Sequence, residues 1–136
     1  MQVIVCVDDN GGMMFNKRRQ SRDRVLCEYV MRLSESHQVY MSAYSAKLFS
    51  EDDRIVVSEN YLEEASGEDF CFVEKEPLKA FENEIKKLII FKWNRVYPAD
   101  QYLDIDPEKM TKVQEEEFVG FSHEKITMEV YFNETF

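Results

Sequence analysis

The sequence predicts an α/β fold: a three-layer, mostly parallel sheet closed by an antiparallel C-terminal hairpin, with about 7 to 8 strands and about 3 to 4 helices. Three observations carry this. Gln2 to Val7, apolar after its first residue, and Leu88 to Phe91 have the pattern of strands covered on both faces. Between them, short apolar runs alternate with segments of helical spacing. Near the C-terminus the pattern changes to strict alternation, with Ile126, Met128, Val130 and Phe132 on one face and Thr127, Glu129 and Tyr131 on the other.

Each element has a local reason. Gln2 to Val7 is rich in β-branched residues and reads as a central strand. Asn10-Gly-Gly12 is a turn, where glycine relieves the steric cost of positive φ. From Arg22 to about Ser34, Val25, Leu26, Tyr29, Val30 and Leu33 recur at helical spacing, with Ser21 placed as the N-cap. Gln38 to Met41 is a short strand, after which Ser42 caps a helix from Ala43 to Phe49.

Arg54 to Val57 is the third strand, and a helix near Glu59 to Ala65 stops at Gly67. Phe70 to Val73 is a strand again, and Pro77 opens a helix through Leu78, Phe81 and Ile85. A short strand at Tyr102 to Ile105 and a turn at Asp106-Pro-Glu-Lys lead to two long strands, about Met110 to Phe121 and Lys125 to Phe132. They form a hairpin with one solvated face, and Glu115-Glu-Glu117 protects its edge.

Residues 1–136 read as a single domain, since no repeat, low-complexity tract or linker interrupts the chain. No segment approaches the roughly 20 apolar residues of a membrane span, and no leader is apparent, so a cytoplasmic protein is expected. Cys6, Cys27 and Cys71 sit in apolar runs and read as reduced core thiols. His37 and His123 have no zinc spacing, and Asp8 and Asp9 point to opposite faces of an extended chain, so no metal site is expected. A net charge of −10 argues against general nucleic-acid binding.

The order of these pieces resembles the dihydrofolate reductase family along nearly the whole chain. Val3-Ile-Val-Cys-Val7 with its glycine turn is similar to the family's first strand and the loop over its active site. Val39-Tyr-Met-Ser-Ala-Tyr-Ser45 resembles the second strand and helix start, and Arg54-Ile-Val-Val-Ser58 the third strand. Leu88-Ile-Ile-Phe-Lys-Trp-Asn-Arg-Val-Tyr97 resembles the family's strand, Gly-Gly turn and Arg-Val-Tyr helix start. The same opening resembles a set of short uncharacterised bacterial proteins, some named ribonuclease Z. The His-x-His-x-Asp-His zinc cluster of that enzyme class cannot be built from two isolated histidines.

The resemblance implies an NADPH site at two glycine motifs and a pterin-binding acid on the first long helix. Here Lys92-Trp-Asn94 and Ser42-Ala43 replace the glycine motifs, so no NADPH site of the family type and no other cofactor is expected. Asp23 is the acid nearest the pterin-binding position, although an acid in a first helical turn also has a purely local role.

Lys17, Arg18, Arg19, Arg22 and Arg24 crowd cations at the mouth of that helix. The candidate site is therefore an anion and polar cluster of Asn16, Arg18, Arg19, Ser21, Arg22 and Asp23, with an internal ion-pair network as the alternative. Trp93, Asn94, Arg95 and Tyr97 form a second candidate cluster, suited to a base and a phosphate. No nucleophile with a base is evident, and His123 reads as solvated.

The expected function is binding of a small anionic ligand, nucleotide-like or pterin-like. The alternatives are an NADPH-dependent reductase with a rearranged cofactor site, a protein-interaction module and an RNA-processing protein. Homo-oligomerisation stays open.

Overall fold

Strand β1 (Gln2–Val7) lies in the middle of a seven-stranded sheet and is buried along nearly all its length. The computed structural model describes residues 1–136. The other strands of this sheet are β4 (Val39–Met41), β5 (Ile55–Val57), β6 (Phe70–Phe72), β7 (Lys87–Lys92), β9 (Thr111–Phe118) and β10 (Ile126–Phe132), in the order β5-β4-β6-β1-β7-β10-β9. β1 pairs in parallel with β6, Val3 opposite Cys71, and with β7, Val5 opposite Ile90. β10 then runs antiparallel to β7 and β9 antiparallel to β10, which is the predicted parallel sheet with an antiparallel C-terminal hairpin.

The period-two geometry of β1 sends its side chains into two cores. Val3, Val5 and Val7 join Tyr61, Leu62, Leu78 and Ile85 on one face. Ile4 joins Leu26, Val30, Phe72 and Phe91 on the other. Helix α1 (Arg24–Leu33) covers that second face through Leu26 and Val30, each contributing about 1.5–3 kcal/mol by burial. Helix α2 (Ala43–Ala46), capped by the Ser42 hydroxyl at Ser45 N–H (3.2 Å), packs Ala46 against that second core and Tyr44 against the first. Helix α3 (Tyr61–Glu64) buries Tyr61 and Leu62 on the first face and ends before Gly67, whose φ of +59° suits glycine.

Four sequence expectations are corrected. Helix α1 starts at Arg24, not Arg22, and its N-cap is Asp23, not Ser21, because the Asp23 carboxylate reaches the N–H groups of Val25 and Leu26. The glycine loop is not open coil. It carries β2 (Gly12–Phe15) and β3 (Arg18–Arg19), which pair with β8 (Gln101–Tyr102) in a second, three-stranded sheet. Asn16 and Lys17, at φ +51° and +62°, make the tight turn between β2 and β3.

The segment after Pro77 forms a 3₁₀ turn, Lys79–Glu84, instead of an α-helix. Leu78 N–H and Lys79 N–H both donate to the Asp104 carboxylate and fix its start. Finally, the polar face of β10 is covered: Thr127 and Glu129 are buried, and β9 is the exposed edge. Glu129 accepts ion pairs from Lys92 at 3.2 Å and Lys112 at 3.0 Å, which is how a carboxylate is tolerated there.

Candidate functional site

Parallel pairing brings the carboxyl ends of β6, β1 and β7 together. Chain order changes direction at this place in the sheet, and open α/β sheets bind ligands at such an edge. Because β10 is antiparallel to β7, with Thr127 opposite Lys92, the loop that opens β10 lies at the same edge. That loop contains Gly120 to His123, and the segment Arg19 to Asp23 faces it.

Asp23 joins these pieces. Its Oδ1 accepts Val25 N–H at 2.9 Å, Leu26 N–H at 3.3 Å and Phe121 N–H at 2.9 Å. Its Oδ2 accepts Ser122 N–H at 2.9 Å and His123 Nδ1–H at 2.8 Å. Burial alone would raise this carboxyl, but the donors from Phe121, His123, Ser122 and Leu26 outweigh it and hold Asp23 well below the usual carboxylate range. The carboxylate is an anchor for α1 and for the loop, with its oxygens spent on protein donors.

His123 is buried, which corrects its reading as solvated. Its ring stacks on Trp93, with centroids 4.6 Å apart. Since an ionised carboxylate only accepts, Nδ1 carries a proton, and in the neutral ring Nε2 is the acceptor. Ser21 Oγ lies 2.9 Å from that Nε2, and the Tyr97 hydroxyl lies 3.3 Å from it. A serine, an imidazole and a carboxylate are thus aligned, where the sequence offered no nucleophile with a base. One signal of this was present: a loop opening a strand antiparallel to β7 has to fall at the carboxyl edge, beside Ser21.

A cavity of about 20 Å³, room for one water molecule, lies against Ser21, Leu26, Phe72 and Trp93. Cys6 and Cys27 also line it. Burial raises both thiols, Cys27 to about 11 and Cys6 well above the usual thiol range, so neither is a thiolate at neutral pH. The far wall is Arg19 with Glu74. Arg19 Nε and Nη2 donate to the Glu74 carboxylate at 2.8 and 3.1 Å, and Ser45 Oγ donates to it at 2.8 Å. The Arg19 guanidinium also lies 4.1 Å from the Tyr44 ring centroid.

The cavity shares Arg22, Asp23, Cys27 and Leu48 with a wide cleft of about 810 Å³ between α1 and the segment around Lys47 to Asp52. Arg22, Arg24, Arg32 and Lys47 are on its walls, beside Glu28, Glu51 and Asp52. Asp52 is paired with Arg54 at 3.1 Å, and Arg24 lies 4.1 Å over the Phe121 ring.

The predicted cluster therefore divides. Ser21, Arg22 and Asp23 come together with the cavity and cleft, while Arg19 is an internal ion-pair partner. Asn16 and Arg18 belong to a shallow pocket of about 260 Å³ with Phe15, Tyr97 and Pro98, which adjoins the small cavity at Arg19 and Gln20. The second cluster divides as well. Trp93 and Tyr97 reach His123, Asn94 Nδ2 donates to Lys125 O at 3.1 Å and Thr127 Oγ1 at 2.9 Å, and Arg95 O accepts from Asp9 N–H at 2.9 Å. Tyr97 N–H also donates to Asp8 Oδ2 at 3.0 Å, tying the two candidate loops together.

No family model matches the chain, and no curated protein matches it. Among solved structures it is similar to a dihydrofolate reductase from Enterococcus faecalis, complexed with NADP(H) and RAB-propyl. The TM-score is 0.68 over 96% of this chain and 94% of that one, at 9% identity. This establishes a dihydrofolate-reductase-like fold.

Proposed function

We propose that this chain is a small-ligand-binding protein on a reductase-like scaffold, taking an anionic nucleotide-like or pterin-like molecule in the cleft beside α1. One observation carries the reading. In a chain of net charge −10, a cleft of about 810 Å³ gathers Arg22, Arg24, Arg32 and Lys47 on its walls beside Glu28, Glu51 and Asp52, the last of which is paired with Arg54. Two of these cations flank Asp23, whose own charge is spent inside the protein. An anion entering the cleft meets Arg22 and Arg24 without competition from that carboxylate. The Asp23 oxygens are equally unavailable to a pterin ring, so the acid-anchored pose that the family resemblance implies is not part of this reading.

The reading includes no NADPH site of the family type. Trp93 stands where the resembled motif has a glycine, and its indole is packed against His123. Asn94, at φ +60°, is tied to β10 by its side chain. A bulky ring and a tethered amide do not fit a close backbone approach to a pyrophosphate.

The test is a thermal-shift series with inorganic phosphate, pyrophosphate, nucleoside monophosphates, sugar phosphates and folate. At least one is expected to raise the unfolding temperature, since a ligand at about 100 times its Kd adds about 2.7 kcal/mol. Arg22→Glu/Arg24→Glu is expected to remove the shift and Arg18→Glu to leave it. A series with no shift, or a shift insensitive to Arg22 and Arg24, overturns the reading.

A further inference from the structure

We propose that Ser21 is an acyl-accepting nucleophile, activated by His123 and oriented through Asp23, and that the protein hydrolyses esters of small acyl groups. The geometry carries this. Ser21 Oγ is 2.9 Å from His123 Nε2, and His123 Nδ1 is 2.8 Å from Asp23 Oδ2, the spacing that nucleophile, base and orienting acid require. With the proton of the neutral ring held on Nδ1 by Asp23, Nε2 faces the serine at 2.9 Å, nearer than the Tyr97 hydroxyl at 3.3 Å. The stacked Trp93 ring and the bonds to Asp23 hold the imidazole in place. Ser21 is half-buried and lines the cavity, so its hydroxyl is within reach of a molecule held there.

Ser21 and Arg22 also leave their backbone N–H groups without a protein acceptor. Both are free to donate to an oxygen that becomes negative during attack. The cavity limits the acyl size. At about 20 Å³ it takes one water-sized group, such as the methyl of an acetyl, and excludes longer chains. The alcohol portion lies toward the wide cleft through the shared residues Arg22 and Cys27. Its anionic character rests on the binding reading above, whereas the acyl chemistry does not.

The reaction balances with water as the sole co-reactant. Ser21 Oγ bonds to the ester carbonyl carbon while its proton passes to His123 Nε2, and the carbonyl π pair moves onto oxygen. Collapse re-forms the carbonyl and breaks the bond to the alcohol oxygen, which leaves with the proton from Nε2. Water then gives a proton to Nε2 as its oxygen attacks the acyl carbon. Ser21 Oγ departs and takes that proton back, and the free acid is released. His123 and Ser21 touch the reacting atoms, and Asp23 is a positioning residue.

The experiment uses 4-nitrophenyl acetate and 4-nitrophenyl butyrate with the full chain, with intact-mass and peptide mapping of the acylated protein. Acetate release above background is expected, with an acetyl group mapped to Ser21 and much slower release from butyrate. Ser21→Ala, checked for an unchanged unfolding temperature, is expected to lower the acetate rate about 100-fold or more. Ser21→Cys is expected to restore acylation at that position. Unchanged hydrolysis in Ser21→Ala, or acetylation confined to other residues, overturns the proposal. Because 4-nitrophenyl acetate is uncharged, this outcome is independent of Arg22 and Arg24: loss of anion binding with acylation intact refutes only the binding reading, and the reverse refutes only this one.

Discussion

The carboxylate of Asp23 and the imidazole of His123, a hundred positions apart in sequence, meet at 2.8 Å, and that bond closes the C-terminal hairpin loop over the start of α1. The same carboxylate caps the helix and takes Phe121 N–H and Ser122 N–H. Its loss therefore acts on two elements at once. Asp23→Ala removes a helix cap, costing about 1 kcal/mol. It also strands buried donors at about 1–3 kcal/mol each. A total of about 3 kcal/mol or more is expected in urea unfolding, against less than about 1 kcal/mol for Ser21→Ala.

Acid should weaken the fold over a defined window. Burial alone would raise the Glu129 carboxyl, but Lys112, Tyr131 and Lys92 bring it down to about 2, and Asp23 is held low as well. A carboxyl whose folded pKa is depressed adds stability above its unfolded value, about 4, and loses it as pH falls through the folded one. Urea midpoints are expected to be flat above about pH 5 and to fall steadily between about pH 4 and pH 2. Glu129→Gln should make that fall shallower.

Gly120 is a site of close approach. A Cβ there would lie 2.6 Å from Asp23 Oδ2 and 2.9 Å from Ile126 Cδ1. Gly120→Ala is expected to destabilise by about 1–3 kcal/mol, as overpacking does. It should also disturb His123, visible as a changed imidazole NMR shift. Gly11→Ala is the control: nothing lies within 4 Å of its added Cβ, so its cost comes from the φ of +77° alone.

Arg19 and Glu74 form a partly buried pair with two donor contacts. Arg19→Met leaves Glu74 with Ser45 as its remaining side-chain donor and is expected to cost about 3 kcal/mol. Arg19→Met/Glu74→Leu should recover much of that loss, because apolar replacement of a whole buried pair is often neutral. Equal stability of the single and double variants would contradict an internal role for the pair.

The inner strands of the main sheet were legible because they are mostly apolar runs whose pattern needs no distant partner. Gln2–Val7 reads at the same boundaries in sequence and structure, and β4 through β7 differ by a residue or two. The small sheet was legible only as a short strand expected at Tyr102 to Ile105, which forms instead at Gln101–Tyr102. β3 and β8 have two residues each, too few for periodicity, and only their partner β2 makes them strands. Ser21 and Asp23 are equally good caps by residue type, and the choice was made by the loop at Phe121 and Ser122, which gives Asp23 further donors. His123 looked solvated because its neighbours in sequence are polar, whereas Trp93 and Asp23, which bury it, come from other elements.

The most direct test of the central claim, that the cleft beside α1 takes an anion, is a crystal structure of the protein soaked in tungstate, an electron-dense phosphate analogue. Anomalous density is expected between Arg22 and Arg24 on the cleft wall, lost in Arg22→Glu/Arg24→Glu. Density confined to the shallow pocket beside Asn16 and Arg18, or no ordered anion in the cleft, would contradict it.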